Sequence, residues 1–234
     1  MKNKKLLLSL CILFFAIEAI LGYYIQKPAF LTVNQLQFTS IVIACIFCLL
    51  FIERSSSYLF TQLALIFTVC ADYFLALHTT PIQLQGMICF SVVQAMYFLR
   101  LFFEDENISR RRVHLILRTI LSLLAVITTV VVLGDSSDLV ATVSVFYYTN
   151  LVLNLVFSFI QFKKASFMAI GFVFFLLCDT VIGFASISPY FSLPESSIIY
   201  KFLNPGFDPA WACYVPSQIL LSMSLLPRKL KNNS

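Results

Sequence analysis

Two aspartates stand inside runs that are otherwise apolar: Asp72 in FTVCADYFLAL, residues 67–77, and Asp179 in FFLLCDTVIGF, residues 174–184. A carboxylate at bilayer depth costs roughly 2.5–3.5 kcal/mol on an insertion scale, so such residues face a bundle interior or a wet cavity and mark chemistry or transport. A plain amide would join helices as well without the charge, which singles these two out as functional. Two carboxyls sharing a dry site do not ionise together; one keeps its proton while the other is charged. That pairing suits acid-catalysed cleavage of an acetal-like or enol-ether bond. One acid delivers the proton and the other stabilises an oxocarbenium ion or orients water. The same pair serves as a proton relay in a coupled transporter. Residue types alone leave both readings open.

Other chemistries find no equipment. His78 and His114 are the two histidines of the chain, and the expected topology puts them on opposite membrane faces. That excludes a multi-histidine zinc site and argues against a Ser-His-Asp triad. GxSxG, HExxH and a glycine-rich phosphate loop are all missing, and six glycines in all leave little for cradling a phosphate. Cys45 and Cys48 form a CxxC on an apolar helix; it and the other five cysteines read as small buried hydrophobes rather than a metal or disulfide framework. The expectation is a site with no metal and no cofactor.

The elements that must position the acids are membrane helices. The chain has 234 residues, 60% of them hydrophobic and 12% charged, with a mean hydropathy of +0.91; soluble domains average about 25% charged. The predicted class is an all-α polytopic membrane protein, a single transmembrane domain over residues 1–234. Apolar runs long enough to cross a core of about 30 Å predict eight spans, near 6–25, 36–53, 58–77, 86–103, 114–133, 139–161, 166–187 and 210–226. The basic start followed by an apolar run reads as a retained first helix, because no small-residue cleavage site follows it. Fourteen of the sixteen lysines and arginines fall on the side that carries both termini, with Lys27 and Lys201 on the other. By the positive-inside rule both termini are then cytoplasmic, in a plasma membrane of bacterial type. The net charge of +5 comes from loop clusters, with no basic stripe interleaved with aromatics of the kind nucleic acid needs. The long connection from Ser188 to Pro209 lies outside and is expected to cap an opening there. Helices three and seven each carry a phenylalanine-rich run, a cysteine and an aspartate, while four and eight each carry a glutamine. This leaves open a four-plus-four parallel repeat.

At 1.5 Å per residue both carboxyls lie about 7–12 Å below the outer rim of the hydrocarbon. Gln94 and Tyr97 on helix four, Tyr147, Tyr148 and Asn150 on helix six, and Tyr214 and Gln218 on helix eight reach a similar layer, with Asn154 deeper. Glu18 on helix one stands at the same depth, with snorkelling or a retained proton as its alternatives. A polar layer drawn from five helices implies one shared pocket. Individually, Gln94, Tyr147 and Asn154 read equally well as interhelical hydrogen bonds.

With these residues in place, the chain resembles the YhhN-like lysoplasmalogenase family of eight-helix membrane proteins. CADYFLAL is similar to its Gly-Asp-x-x-Leu motif. GMICFSVVQAMYFLRLF is similar to its Gly-x-x-x-Phe-x-x-x-His-x-x-Tyr stretch, through Gly86, Phe90 and Tyr97. GFVFFLLCDTVIGF matches Gly-x-x-x-Phe-x-x-Ser-Asp at Gly171, Phe175 and Asp179, and CYVPSQILLSMSL follows Tyr-Tyr-x-Ala-Gln at Tyr214 and Gln218. The resemblance implies hydrolysis of the vinyl-ether bond of a lysophospholipid to a fatty aldehyde and a glycerophospho head group. It implies Asp72 and Asp179 as catalytic, with Gln94, Tyr97, Tyr148, Asn150, Tyr214 and Gln218 lining the substrate site. The chain departs from the pattern at Gln94, where the family has histidine, and at Ala71 and Cys178 before the aspartates. The alternative is a proton-coupled transporter or a lipid-binding protein on the same scaffold. Expected partners are the bilayer and a lysophospholipid, with a homodimer left open.

Overall fold

The computed structural model describes residues 4–29, 31–50, 55–78, 82–187, 197, 200 and 206–226. Among these residues there are eight α-helices and no strand: α1 Lys4–Gln26, α2 Val33–Leu49, α3 Ser56–Asp72, α4 Gln83–Glu104, α5 Ile108–Leu133, α6 Leu139–Ile160, α7 Phe162–Ile187 and α8 Pro209–Met223. Six helical segments are long and apolar enough to cross a membrane: α1, α3 with the turn that follows it, and α4 to α7. α2 is apolar but shorter, at 17 residues, and α8 has 15. The protein is therefore all-helical and of multi-pass membrane type. The Ser188–Pro209 connection lies almost wholly outside the described residues, as do Arg54, Lys201 and the last eight positions of the chain.

Local chemistry sets the helix ends. Thr32 accepts the Gln35 backbone N–H while the Gln35 side chain accepts the Thr32 N–H, a reciprocal capping box that opens α2. The side chains of Asp138 and Asp208 accept N–H groups of Ala141 and Trp211 to start α6 and α8. Asn107 does the same for Arg110 at 3.1 Å. α5 consequently begins at Ile108 rather than near residue 114, and it takes in three arginines that the sequence assigns to a loop. It ends at Gly134, whose positive φ of 51° suits glycine.

Six helices close into a ring in the order α2, α3, α4, α6, α7, α8 and back to α2, with α1 docked outside on α2 and α8, and α5 outside on α6. The ring interior holds the main core cluster, which includes Phe90, Tyr97, Tyr147, Phe172, Phe175 and Tyr214. Since lipid tails are as apolar as these side chains, the ring is held by close van der Waals fit and by interhelical polar bonds. α3 packs extensively on α4, as α7 does on α8. Directly after Asp72 the chain widens into a π-turn, Tyr73–Leu77, closed by the His78 N–H donating to the Tyr73 carbonyl at 2.9 Å. The turn presses Leu75 against Gly86, where an added Cβ would lie 2.4 Å from Leu75 Cγ. Gly86→Ala must therefore push the π-turn off α4. A destabilisation of about 1–3 kcal/mol is expected, seen as a lower thermal midpoint in detergent, whereas Gly183→Ala, with open space around it, leaves the midpoint in place.

Candidate functional site

Asp72 ends α3, immediately before the π-turn, and is 5% exposed. Its Oδ2 accepts a hydrogen bond from Tyr214 Oη of α8 at 2.7 Å. Asp179 lies on α7, and its Oδ2 accepts the hydroxyl of Tyr147 from α6. Each acid thus has a tyrosine donor supplied by another helix. The tyrosine rings belong to one aromatic wall. Tyr147 lies 5.5 Å from Phe90, Phe90 lies 5.9 Å from Phe175, and Phe175 lies 5.6 Å from Tyr214, with Trp211 edge-on to Tyr214 at 5.0 Å. Hydrogen bonds from phenols favour a charged carboxylate and the dry aromatic wall disfavours it.

One turn along α4 and α6 lies a second polar layer. Asn154 donates its amide N–H to the side-chain oxygen and to the carbonyl of Gln94, both at 2.9 Å. Asn150 donates to Ser122 at 3.1 Å and to the Phe146 carbonyl at 2.7 Å. The oxygens of Asn150 and Asn154 both accept from Arg118 on α5. The Arg118 guanidinium sits over the Phe98 ring at 4.3 Å, and His114, one turn away, stacks on Phe157 at 3.5 Å. Gln94 and Asn150 are in this way tied to α5. The Nε2 of Gln94, the hydroxyl of Tyr97 and both amide atoms of Gln218 are buried with no hydrogen-bond partner among the described residues. Buried polar atoms of that kind are those a bound polar ligand or water satisfies. Tyr148 is exposed and bonds to Thr180 of α7 at 3.1 Å, one residue beyond Asp179. Glu18 is buried outside the ring, where it accepts from Ser40 of α2.

Reading residues one by one overlooks three of these side chains. Tyr147 is the partner of Asp179, although its sequence context fits a helix-joining hydrogen bond equally well. Arg118 and Arg100, counted with the loop cations in the charge tally, are buried in the bundle. A signal for Arg118 was available: His114, Arg118 and Ser122 recur every four residues along one face of α5, and they are its buried residues. Among the described residues no group of three His, Cys, Asp or Glu side chains could hold a metal ion. Beyond Asp179, at the C-terminal end of α7 and the N-terminal end of α8, a cavity of about 520 Å³ opens between Val181, Ile182, Ala185, Phe207 and Ala210, with Asp208 as its one charged lining residue.

A model of the YhhN family matches residues 34–225, a stretch that spans all four sequence motifs and both aspartates. No curated protein and no solved structure matches the chain.

Proposed function

The chain belongs to the YhhN family, and from that premise we propose that it is a membrane-embedded hydrolase that cleaves the vinyl-ether bond of a lysolipid by carboxyl acid catalysis. The observation that carries this reading is the pair of Asp–Tyr contacts, whose two tyrosines stand on one aromatic wall. The protonated member gives its proton to the β-carbon of the vinyl ether, and the electron pair of the double bond forms the new C–H bond. The oxocarbenium ion left at the α-carbon is stabilised by the ionised partner. Water adds at that carbon and its proton returns to a carboxylate. The hemiacetal then breaks its C–O bond to the glycerol oxygen, releasing a fatty aldehyde and a glycerophospho head group. The outer cavity between α7 and α8 is apolar enough to admit a single chain. Tyr97, Gln94 and Gln218, with polar atoms to satisfy, would hold water and head group; Tyr148, bonded to Thr180 beside Asp179, would border the same site, and Asn150 would support it through Arg118 of α5.

In this reading all eight helices cross, both termini face the cytoplasm, and α1–α4 and α5–α8 are two parallel halves of one transmembrane domain. Each consecutive pair in the first half has a packed counterpart in the second. α8 at 15 residues covers about 22 Å at 1.5 Å per residue, so it relies on the adjoining segments to complete a crossing. The test is turnover of a vinyl-ether lysolipid by purified protein, read by mass spectrometry. Aldehyde is expected from the vinyl ether and none from the saturated-ether analogue, whose α-carbon cannot be reached by protonation. Failure with every head group supplied would sink the hydrolase. Proton-linked lipid uptake without hydrolysis would instead favour a transporter, a reading that gains from Gln94, an amide that cannot exchange protons, standing where the family has histidine.

A further inference from the structure

The opposite, basic end of the bundle carries a second cavity, of about 720 Å³, between the α4–α5 turn and the α6–α7 turn. We propose that it is a binding site for an anionic phospholipid, whose phosphate sits between Lys163 and Lys164 while its chains run over Phe159, Ile160 and Phe162. Its walls combine two chemistries. One wall is apolar: Phe159, Ile160 and Phe162 are 47%, 50% and 42% exposed, and the two phenylalanine rings stack at 5.8 Å. The other is charged and uneven in sign. Arg110 is committed to Asp105 through two guanidinium bonds. Burial opposes charge on Asp105, but the bonds from Arg110 and the Asn107 N–H hold its carboxyl below the usual range. That pair is fixed framework. Lys164 pairs with Glu106, but both side chains are half or more exposed, and such a pair is worth little and exchanges readily for another anion. Lys163 makes no ion pair among the described residues, and Arg111 spends its guanidinium on the carbonyls of Asp105 and Phe103. Glu104 faces Arg100 instead. Three cations, Arg110, Lys163 and Lys164, and three carboxylates, Glu104, Asp105 and Glu106, line the cavity; with Glu104 held by Arg100 from outside it, the uncommitted charge is that of Lys163.

An uncommitted lysine at the rim, beside a second in an exchangeable pair and next to exposed aromatics, matches an amphiphile that is anionic at the head. A soluble phosphate would leave the aromatic wall unused, and a zwitterionic lipid would set its own cation against Lys163. This site lies at the end of the bundle away from the aspartates and does not depend on the hydrolase reading.

The experiment is lipid binding to the full chain in neutral detergent, followed by native mass spectrometry and by the thermal midpoint. Phosphatidylglycerol is expected to bind and raise the midpoint, while phosphatidylcholine and inorganic phosphate do neither. The double variant Lys163→Gln/Lys164→Gln keeps its lipid-free midpoint and loses affinity for phosphatidylglycerol by about tenfold or more. A matched variant at the start of α1, Lys4→Gln/Lys5→Gln, retains it. Equal binding of phosphatidylcholine, displacement of the lipid by inorganic phosphate, an equal loss in both double variants, or no loss in the first would each overturn the site.

Discussion

Asp72→Asn and Asp179→Asn are each expected to lower aldehyde release by about 10²- to 10⁴-fold, the range that a positioned acid or base contributes. Asparagine keeps the volume of aspartate and still accepts the tyrosine hydroxyl, so Tyr214 and Tyr147 retain their partners and the thermal midpoint should hold. What is lost is the proton to give and the charge to stabilise the cation. Because the pair acts as a unit, the double variant should be little worse than the more impaired single one. Wild-type turnover by both single variants would remove the acids from the chemistry and leave them as polar joints between helices.

The second large effect concerns stability. Arg100 is fully buried and joins three helices: Nη1 donates to Thr61 of α3 at 2.9 Å, Nη2 to the Ser224 carbonyl just past α8 at 3.0 Å, and Nε to Glu104 on its own helix at 3.1 Å. Arg100→Ala takes the counter-ion from a carboxylate that is itself buried. Removing one partner of a buried pair costs about 3–5 kcal/mol, enough to lower the thermal midpoint sharply and to cut the yield of folded protein. Adding Glu104→Gln removes the stranded charge and should restore part of the loss, since neighbours in one network are not additive. A single variant as stable as wild type would mean that the cluster is solvated rather than dry.

The helices could be read from the sequence because lipid imposes a simple rule: about 20 apolar residues, then a polar break. The two aspartates stood out for the same reason, since charge at that depth needs a cause. Facing was harder to read. Tyr147 and Tyr148 are adjacent, about 100° apart on one helix, and composition cannot say which one looks inward. α4 decides it: Phe90 packs on Tyr147, turning that hydroxyl to Asp179 and leaving Tyr148 to Thr180. The π-turn at Tyr73–Leu77 left no mark that a propensity scale registers, and its close fit of Leu75 on Gly86 is a contact distant in sequence. Arg118 was misplaced because a charge tally counts cations without asking which face they occupy.

The placement of α5 outside the ring bears on how the protein is made. Its buried residues are His114, Arg118 and Ser122, whose principal partners, Asn150, Asn154 and Phe157, are all on α6. A nascent α5 alone in the bilayer would hold its guanidinium against hydrocarbon at a penalty of roughly 2.5–3.5 kcal/mol. α6 follows after the short Gly134–Asp138 link, so insertion of the two segments together as a hairpin is expected, which gives the guanidinium its amide acceptors before the rest of the second half is synthesised.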